Sequence, residues 1–195
     1  MVNFRNLTLQ ERRLKSGMEK FNSRDKSLIL EALEVTKRAH EGQKRDEGDP
    51  YIIHPIRVAN TLIYDLDITD AEMIITGLLH DVVEDTGVLT QQIKEQFGSR
   101  VAGLTKALTR DKEKETKREK FEKTVKSPKE VRLIKTCDWL DNLRSFVYRT
   151  DRGERWQRHI KEAREMYIPL VEAVGNGWLM KEMKKAYEAV LRLLK

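Results

Sequence analysis

In DKSLILEALEVTKRAHEGQ, residues 25–43, Leu28, Ala32, Val35 and Ala39 recur one helical turn apart. The same period returns along almost the whole chain, and no segment alternates polar and apolar residues as a half-buried strand would. Ten glycines and four prolines in 195 residues are too few for the turns of an all-β fold. Gly42 can end the first of these helices, and the loop GQKRDEGDP (42–50) follows it. Pro55 suits a first helical turn and opens PIRVANTLIYDL. Thr69 with Glu72 reads as a capping box, Thr90 as the cap of QQIKEQF, and Ser127 with Glu130 as a second capping box around Pro128. Gly98 separates QQIKEQF from SRVAGLTKALT, and GNG separates two last helices, of which the first meets a breaking or kinking Pro169. The segment 110–126 reads as an exposed helix or a loop. The expectation is an all-α chain, one domain over 1–195 of about eight to ten helices, closed by a helix at 178–195.

The bulk composition excludes several classes. One cysteine, Cys137, leaves no intrachain disulfide and no cysteine-based zinc cluster, which suits a reducing, cytoplasmic location. No run of 18 apolar residues spans a membrane, and the first residues lack a signal-peptide core. A net charge of +6 suits an anionic ligand or nucleic acid, and a solvated surface explains it equally well. The basic residues of 110–126 are mixed with acidic ones and carry no nucleic-acid motif, so no nucleic-acid partner is expected. A homo-oligomer is left open.

The stretch GLLHDVVEDT crowds His80, Asp81, Glu84 and Asp85 after the apolar AEMIITGLL. On a continuous helix His80 lies above Glu84 and Asp81 above Asp85. Like charges at that spacing cost about 0.2–0.5 kcal/mol, so either a solvated terminus or a bound cation accounts for them. His54, in PYIIHP, is by itself more often structural than a ligand. In KTCDWLDNLRS, Asp138, Asn142 and Ser145 share a face that Trp139 and Phe146 partly enclose. Taken together, His54, His80, Asp81 and Asp138 are two imidazoles and two carboxylates. That set suits Mn²⁺, Fe²⁺ or Zn²⁺ and leaves coordination positions for water and a phosphate oxygen.

The order H…HD…D, with GQKRDEGDPYIIHPIRVA, GLLHDVVEDT, FGSRVAGLTKALT and IKTCDWLDNLRS, resembles the HD phosphohydrolase superfamily. Within it the chain is similar to the hydrolase domain of RelA/SpoT proteins over residues 25–175 or so. The resemblance implies Mn²⁺-dependent removal of the 3′-pyrophosphate from the guanosine alarmones ppGpp and pppGpp. It also implies metal ligation by His54, His80, Asp81 and Asp138, water handling by Glu84 and Asp85, and nucleotide contacts from Arg45, Asn142 and Ser145. The chain looks like a stand-alone small alarmone hydrolase without the synthetase domain of the long enzymes. It departs from the pattern at Asp46 and Glu47, where a basic and a small residue are usual, and at Asp141, where His or Tyr is common and the change is expected to be neutral. Those acids keep another nucleotide open as substrate: an adenosine alarmone, the 2′-phosphate of NADPH or a nucleoside monophosphate. A non-catalytic binding module is the third reading. The distal phosphates are assigned to Lys114, Lys117 or Arg118, or to the helix Arg155–Lys161.

Overall fold

Five helices start where a short polar side chain accepts a backbone N–H of the first turn: Asn6 from Leu9, Asn22 from Asp25, Asp70 from Glu72 and Met73, Thr116 from Glu119, and Asn176 from Leu179. They begin α1 (Leu7–Gly17), α2 (Ser23–Ala39), α4 (Ala71–Leu79), α7 (Lys117–Lys126) and α11 (Gly177–Arg192). The others are α3 (Ile53–Asn60), the one-turn α5 (Val82–Asp85), α6 (Thr90–Leu108), α8 (Lys129–Phe146), α9 (Glu154–Glu162) and α10 (Ile168–Val174). This computed structural model describes residues 4–150 and 153–193. The side chain of Arg155, one of the phosphate-binding expectations, lies outside the described residues. Counting α9 and α10 as one rod and leaving out α5, the described residues form nine helices and no strand, as the helical period predicts.

Three expected caps are corrected. Asp70, not Thr69, caps α4, because its carboxylate sits directly before the first helical residue and reaches two N–H groups. Thr90 is already helical; the Leu89 N–H before it is satisfied by Gln92 Oε1 at 2.8 Å. Ser127 turns back instead, donating to the Lys123 carbonyl at 2.9 Å, and Pro128 precedes α8 without a side-chain cap. Gly98, at φ 91°, kinks α6 where the sequence separates two helices. Pro169, which lacks an N–H, does not stop the helix: it lies in the first turn of α10, which a π turn over Ala163–Tyr167 joins to α9.

Core packing sets where the polar residues can go. α4 is buried all round and lies among α2, α3, α6 and α8. Ile74, Leu78 and Leu79 are fully buried, each contributing about 1.5–3 kcal/mol over exposure. Gly77 permits this closeness, since a Cβ there would stand 2.8 Å from Leu62 Cδ1 of the π turn that extends α3. α8 is buried on most of its circumference, so Asp138, Asp141 and Ser145 are interior residues and not a solvated stripe.

The 42–50 loop is pinned from outside the helical core. Arg5 grips Asp49 with two hydrogen bonds of 2.8 and 2.9 Å and donates to the Glu47 carbonyl at 3.0 Å. Beside it the Phe4 ring lies 3.9 Å from the Arg57 guanidinium. No helix among the described residues is long and apolar enough to cross a membrane.

Candidate active site

Three helices deliver four ligand-type side chains to one point. His54 lies in the first turn of α3, His80 ends α4, Asp81 follows it, and Asp138 sits mid-α8. The helix expected to run unbroken through Asp85 stops at Leu79; Asp81, at φ −102° and ψ −10°, turns the chain before α5. That break brings His80 and Asp81 to the same centre. His54 Nε2 lies 3.2 Å from His80 Nε2, 3.1 Å from Asp138 Oδ1 and 3.5 Å from Asp81 Oδ2. His80 Nε2 lies 3.1 Å from Asp81 Oδ2 and 3.8 Å from Asp138 Oδ1. Ligands about 2.1 Å from one ion stand about 3.0 Å apart at octahedral right angles and about 3.4 Å apart in a tetrahedron.

The outer nitrogens fix what the inner ones can do. His54 Nδ1 faces Asp141 Oδ2 at 2.6 Å, and His80 Nδ1 faces the Gly77 carbonyl at 2.8 Å. Both partners are acceptors, so both Nδ1 atoms carry the proton, and each ring in its neutral form aims its Nε2 lone pair at the centre. Two facing lone pairs beside two carboxylates fit a divalent cation. This donor set, without sulfur and supported by outer hydrogen bonds, matches the chemistry of such a site. Burial alone would raise Asp81, but His80 and His54 hold its carboxyl well below the usual range. Asp138 is likewise held low against burial by Lys135 and the two imidazoles. Burial also opposes a charged His80, yet Asp81 and Asp138 push it up to about 10. A centre this negative draws either protons or a metal.

Asp141 corrects one expectation. Instead of being neutral it is buried, orients His54 and is clasped by Arg57 Nε and Nη2 at 2.7 and 2.9 Å. Ser145 is buried as well; its Oγ accepts from Arg57 Nη2 at 2.8 Å while the residue lines the adjoining pocket. Tyr51 donates its hydroxyl to Asp81 Oδ2 at 2.6 Å and lies 3.2 Å from Asp85 Oδ2. Burial, then the charge of Asp81, raises that phenol further, so it stays a donor.

Asp138 stands between two differently built flanks. On one, Lys135 Nζ lies 2.7 Å from Asp138 Oδ2. Lys135, Lys117, Lys120, Arg110 and Glu84 line a small cavity there, which opens toward a wider groove of Lys106, Lys112 and Lys123. Glu84 Oε2 accepts the Arg110 N–H at 2.8 Å, and Asp85 Oδ1 pairs with Lys112 at 2.6 Å. Of the expected phosphate ligands, Lys117 faces this cavity paired with Glu162, whereas Arg118 pairs with Glu122 on an exposed face. Lys114 is largely exposed at the groove rim, and Arg158 and Lys161 are exposed on α9.

On the other flank, Asn142 donates to Asp138 Oδ1 at 2.6 Å and accepts from Arg45 Nη2 at 2.8 Å. Arg45 Nε in turn bonds Glu47 Oε1 at 2.7 Å, and Asp46 pairs with Arg149 at 3.1 Å. Thus both acids of the 42–50 loop meet an arginine. Phe146 and His159 add an aromatic wall, their centroids 4.7 Å apart, to this pocket of about 360 Å³.

A sequence profile of the HD domain matches residues 32–177. The chain belongs to the HD-domain family. Among its relatives this HD domain is 39% identical over 163 residues to the guanosine-3′,5′-bis(diphosphate) 3′-pyrophosphohydrolase of Aquifex aeolicus, covering 80% of the present chain and 23% of that protein. It is 34% identical over 168 residues to the mouse guanosine-3′,5′-bis(diphosphate) 3′-pyrophosphohydrolase MESH1, covering 82% of this chain and 93% of that one. The chain spans under a quarter of the length of that bacterial relative. A solved metazoan ortholog of SpoT that hydrolyses ppGpp superimposes with a TM-score of 0.74 at 30% identity, over 83% of this chain and 94% of that one. These likenesses place the HD domain in the RelA/SpoT branch.

Several groups that shape the HD-domain site escape a reading of the sequence. Tyr51, Arg57, Asp141 and Lys135 each sit three residues from one of the ligand-type side chains His54 and Asp138, which is the local signal they share. Two of the contacts span long stretches of chain: Arg57 and Asp141 are 84 residues apart and Tyr51 and Asp81 30 apart, whereas Lys135 pairs with Asp138 three residues on.

Proposed function

We propose that this HD domain removes the 3′-pyrophosphate from ppGpp and pppGpp, giving GDP or GTP and pyrophosphate, with Mn²⁺ as its metal. The observation that carries the reading is the cluster of His54, His80 and Asp81, whose ligand atoms lie within 4.8 Å of one another, with Asp138 Oδ1 3.1 and 3.8 Å from the two imidazoles. The named activities of the bacterial, mouse and metazoan relatives supply the substrate class. The acids at 46 and 47, which kept other nucleotides open, are each neutralised by an arginine, so the pocket is compatible with a guanosine polyphosphate.

A divalent ion on those four residues would supply Lewis acidity toward water and the phosphorus. The protein's own groups handle the rest. Arg110, Lys112, Lys120 and Lys135 receive the pyrophosphate on the basic flank, while Arg45 and Asn142 hold the nucleoside on the other. Glu84 and Asp85 orient the attacking water; one of them takes its proton, and as the bond from phosphorus to O3′ breaks a proton is returned to O3′. The buried, unpaired Cys137 fits a cytoplasmic location.

Incubating purified protein with ppGpp and Mn²⁺ and following GDP and pyrophosphate tests the proposal. Stoichiometric release of both is expected. Absence of turnover by protein shown to hold the metal overturns it.

A further inference from the structure

Arg149 is a buried arginine whose surroundings leave it incomplete. It follows α8 and stays 7% exposed. Asp46 fixes its Nη2 at 3.1 Å, and its guanidinium lies 4.8 Å from the Phe146 ring centroid. Among the described residues its buried Nε has no hydrogen-bond partner. Burying such a donor unpaired is unfavourable, and an acceptor that arrives with a ligand is a direct way to satisfy it. Arg149 lines the same pocket as Arg45, Glu47, Asn142 and Phe146. Glu47 is its chemical opposite there: a side chain 3% exposed, with Oε1 bonded to Arg45 and a second oxygen able to accept.

We propose that Arg149 and Glu47 read the base of the substrate and select guanine over adenine. The inference rests on the nucleotide-hydrolase reading of the site and names what that reading leaves open. Guanine offers acceptors at O6 and N7, which match an arginine fork, and donors at N1 and the 2-amino group, which match a carboxylate. Adenine reverses the pattern at the shared edge. Its 6-amino group would meet the Arg149 donors, and its N1 lone pair would meet the Glu47 carboxylate. Sites that hydrogen-bond one partner discriminate strongly against an analogue that leaves buried groups unpaired. Phe146 and His159 supply a flat apolar wall for the ring, whereas the lysine-rich flank beyond Lys135 offers mostly charge. The base therefore belongs on the Arg149 side of Asp138 and the phosphates on the Lys135 side.

The experiment compares kcat/KM for guanosine and adenosine 3′,5′-bis(diphosphate) with Mn²⁺ present, in the natural protein, Arg149→Met, Arg149→Lys and Glu47→Gln. Calorimetric binding of GDP and ADP is measured alongside. The natural protein is expected to favour guanine by at least about a hundredfold. Arg149→Met and Glu47→Gln should each narrow that preference at least tenfold, chiefly through KM, at unchanged manganese content; Arg149→Lys should recover part of it. Equal use of both bases by the natural protein, or an unaltered preference in both variants, overturns the inference. If neither substrate turns over, the hydrolase reading fails, and the GDP-to-ADP binding ratio still decides the base inference by the same criteria.

Discussion

The Nε2 atoms of His54 and His80 face each other at 3.2 Å with no proton assigned between them by their outer partners. A cation resolves that opposition, and its loss should be felt by the whole fold because the two rings come from different core helices. Stabilisation by a bound ligand is about 4.1 kcal/mol at a thousandfold excess over Kd. Chelation followed by thermal unfolding should therefore lower Tm by several degrees, reversibly on adding Mn²⁺. An unchanged Tm would contradict metal binding here.

The pH response of metal-free protein has a defined sign. His80 is raised to about 10 from an unfolded value of about 6.5, so its contribution to stability is complete below about 6.5 and is lost as pH rises through 10. Asp81 and Asp138 are held well below the ordinary carboxylate value, so theirs is complete above about 3.9 and lost at lower pH. The chelated protein should be most stable between roughly pH 4 and 6.5. Because imidazolium must release its proton to bind metal, the Tm gap between Mn²⁺-loaded and chelated samples should widen from pH 5.5 to 8.5.

Asp141→Asn should weaken metal affinity by about 10–100-fold, since an amide orients His54 less firmly than a carboxylate does. Titration with Mn²⁺ measures it. Asp141→Ala should in addition destabilise the fold by about 3–5 kcal/mol in urea, because Arg57 would be left buried without its counter-charge.

How far the sequence reveals this site depends on the range of the interaction. Helix periodicity is local, so the helices of the core were legible. The order of His and Asp motifs is local too, and it marks residues whose side chains the fold brings near one another: His54, His80 and Asp81 as a cluster and Asp138 beside the two imidazoles. The Arg57–Asp141 clasp has no local pattern; it exists because α3 and α8 pack together. The break after Leu79 is likewise tertiary: apolar AEMIITGLL gives no reason to stop, but His80 and Asp81 must meet His54. At the caps, neighbouring Thr69 and Asp70 compete for one role, and geometry decides.

Glu84→Gln should retain metal while kcat falls about 10²–10⁴-fold, the usual loss for a missing proton acceptor. Metal content and single-turnover rates separate the two effects. Full activity would remove Glu84 from water handling.

Gly77→Ala tests the packing beneath the site. The new methyl would press on Leu62 and should cost about 1–3 kcal/mol in urea denaturation. Since the Gly77 carbonyl also holds His80 Nδ1, Mn²⁺ affinity should fall with stability.

Asp138 takes Lys135 on one oxygen and Asn142 on the other. Changes on either flank therefore perturb one carboxylate, and their energies will not add. In a double-mutant cycle of Lys135 with Asn142, the interaction should reach about 0.5–3 kcal/mol, as expected for groups sharing a partner. Nucleotide affinity and metal affinity then behave as one linked variable, and a series of single substitutions would misassign each to the other.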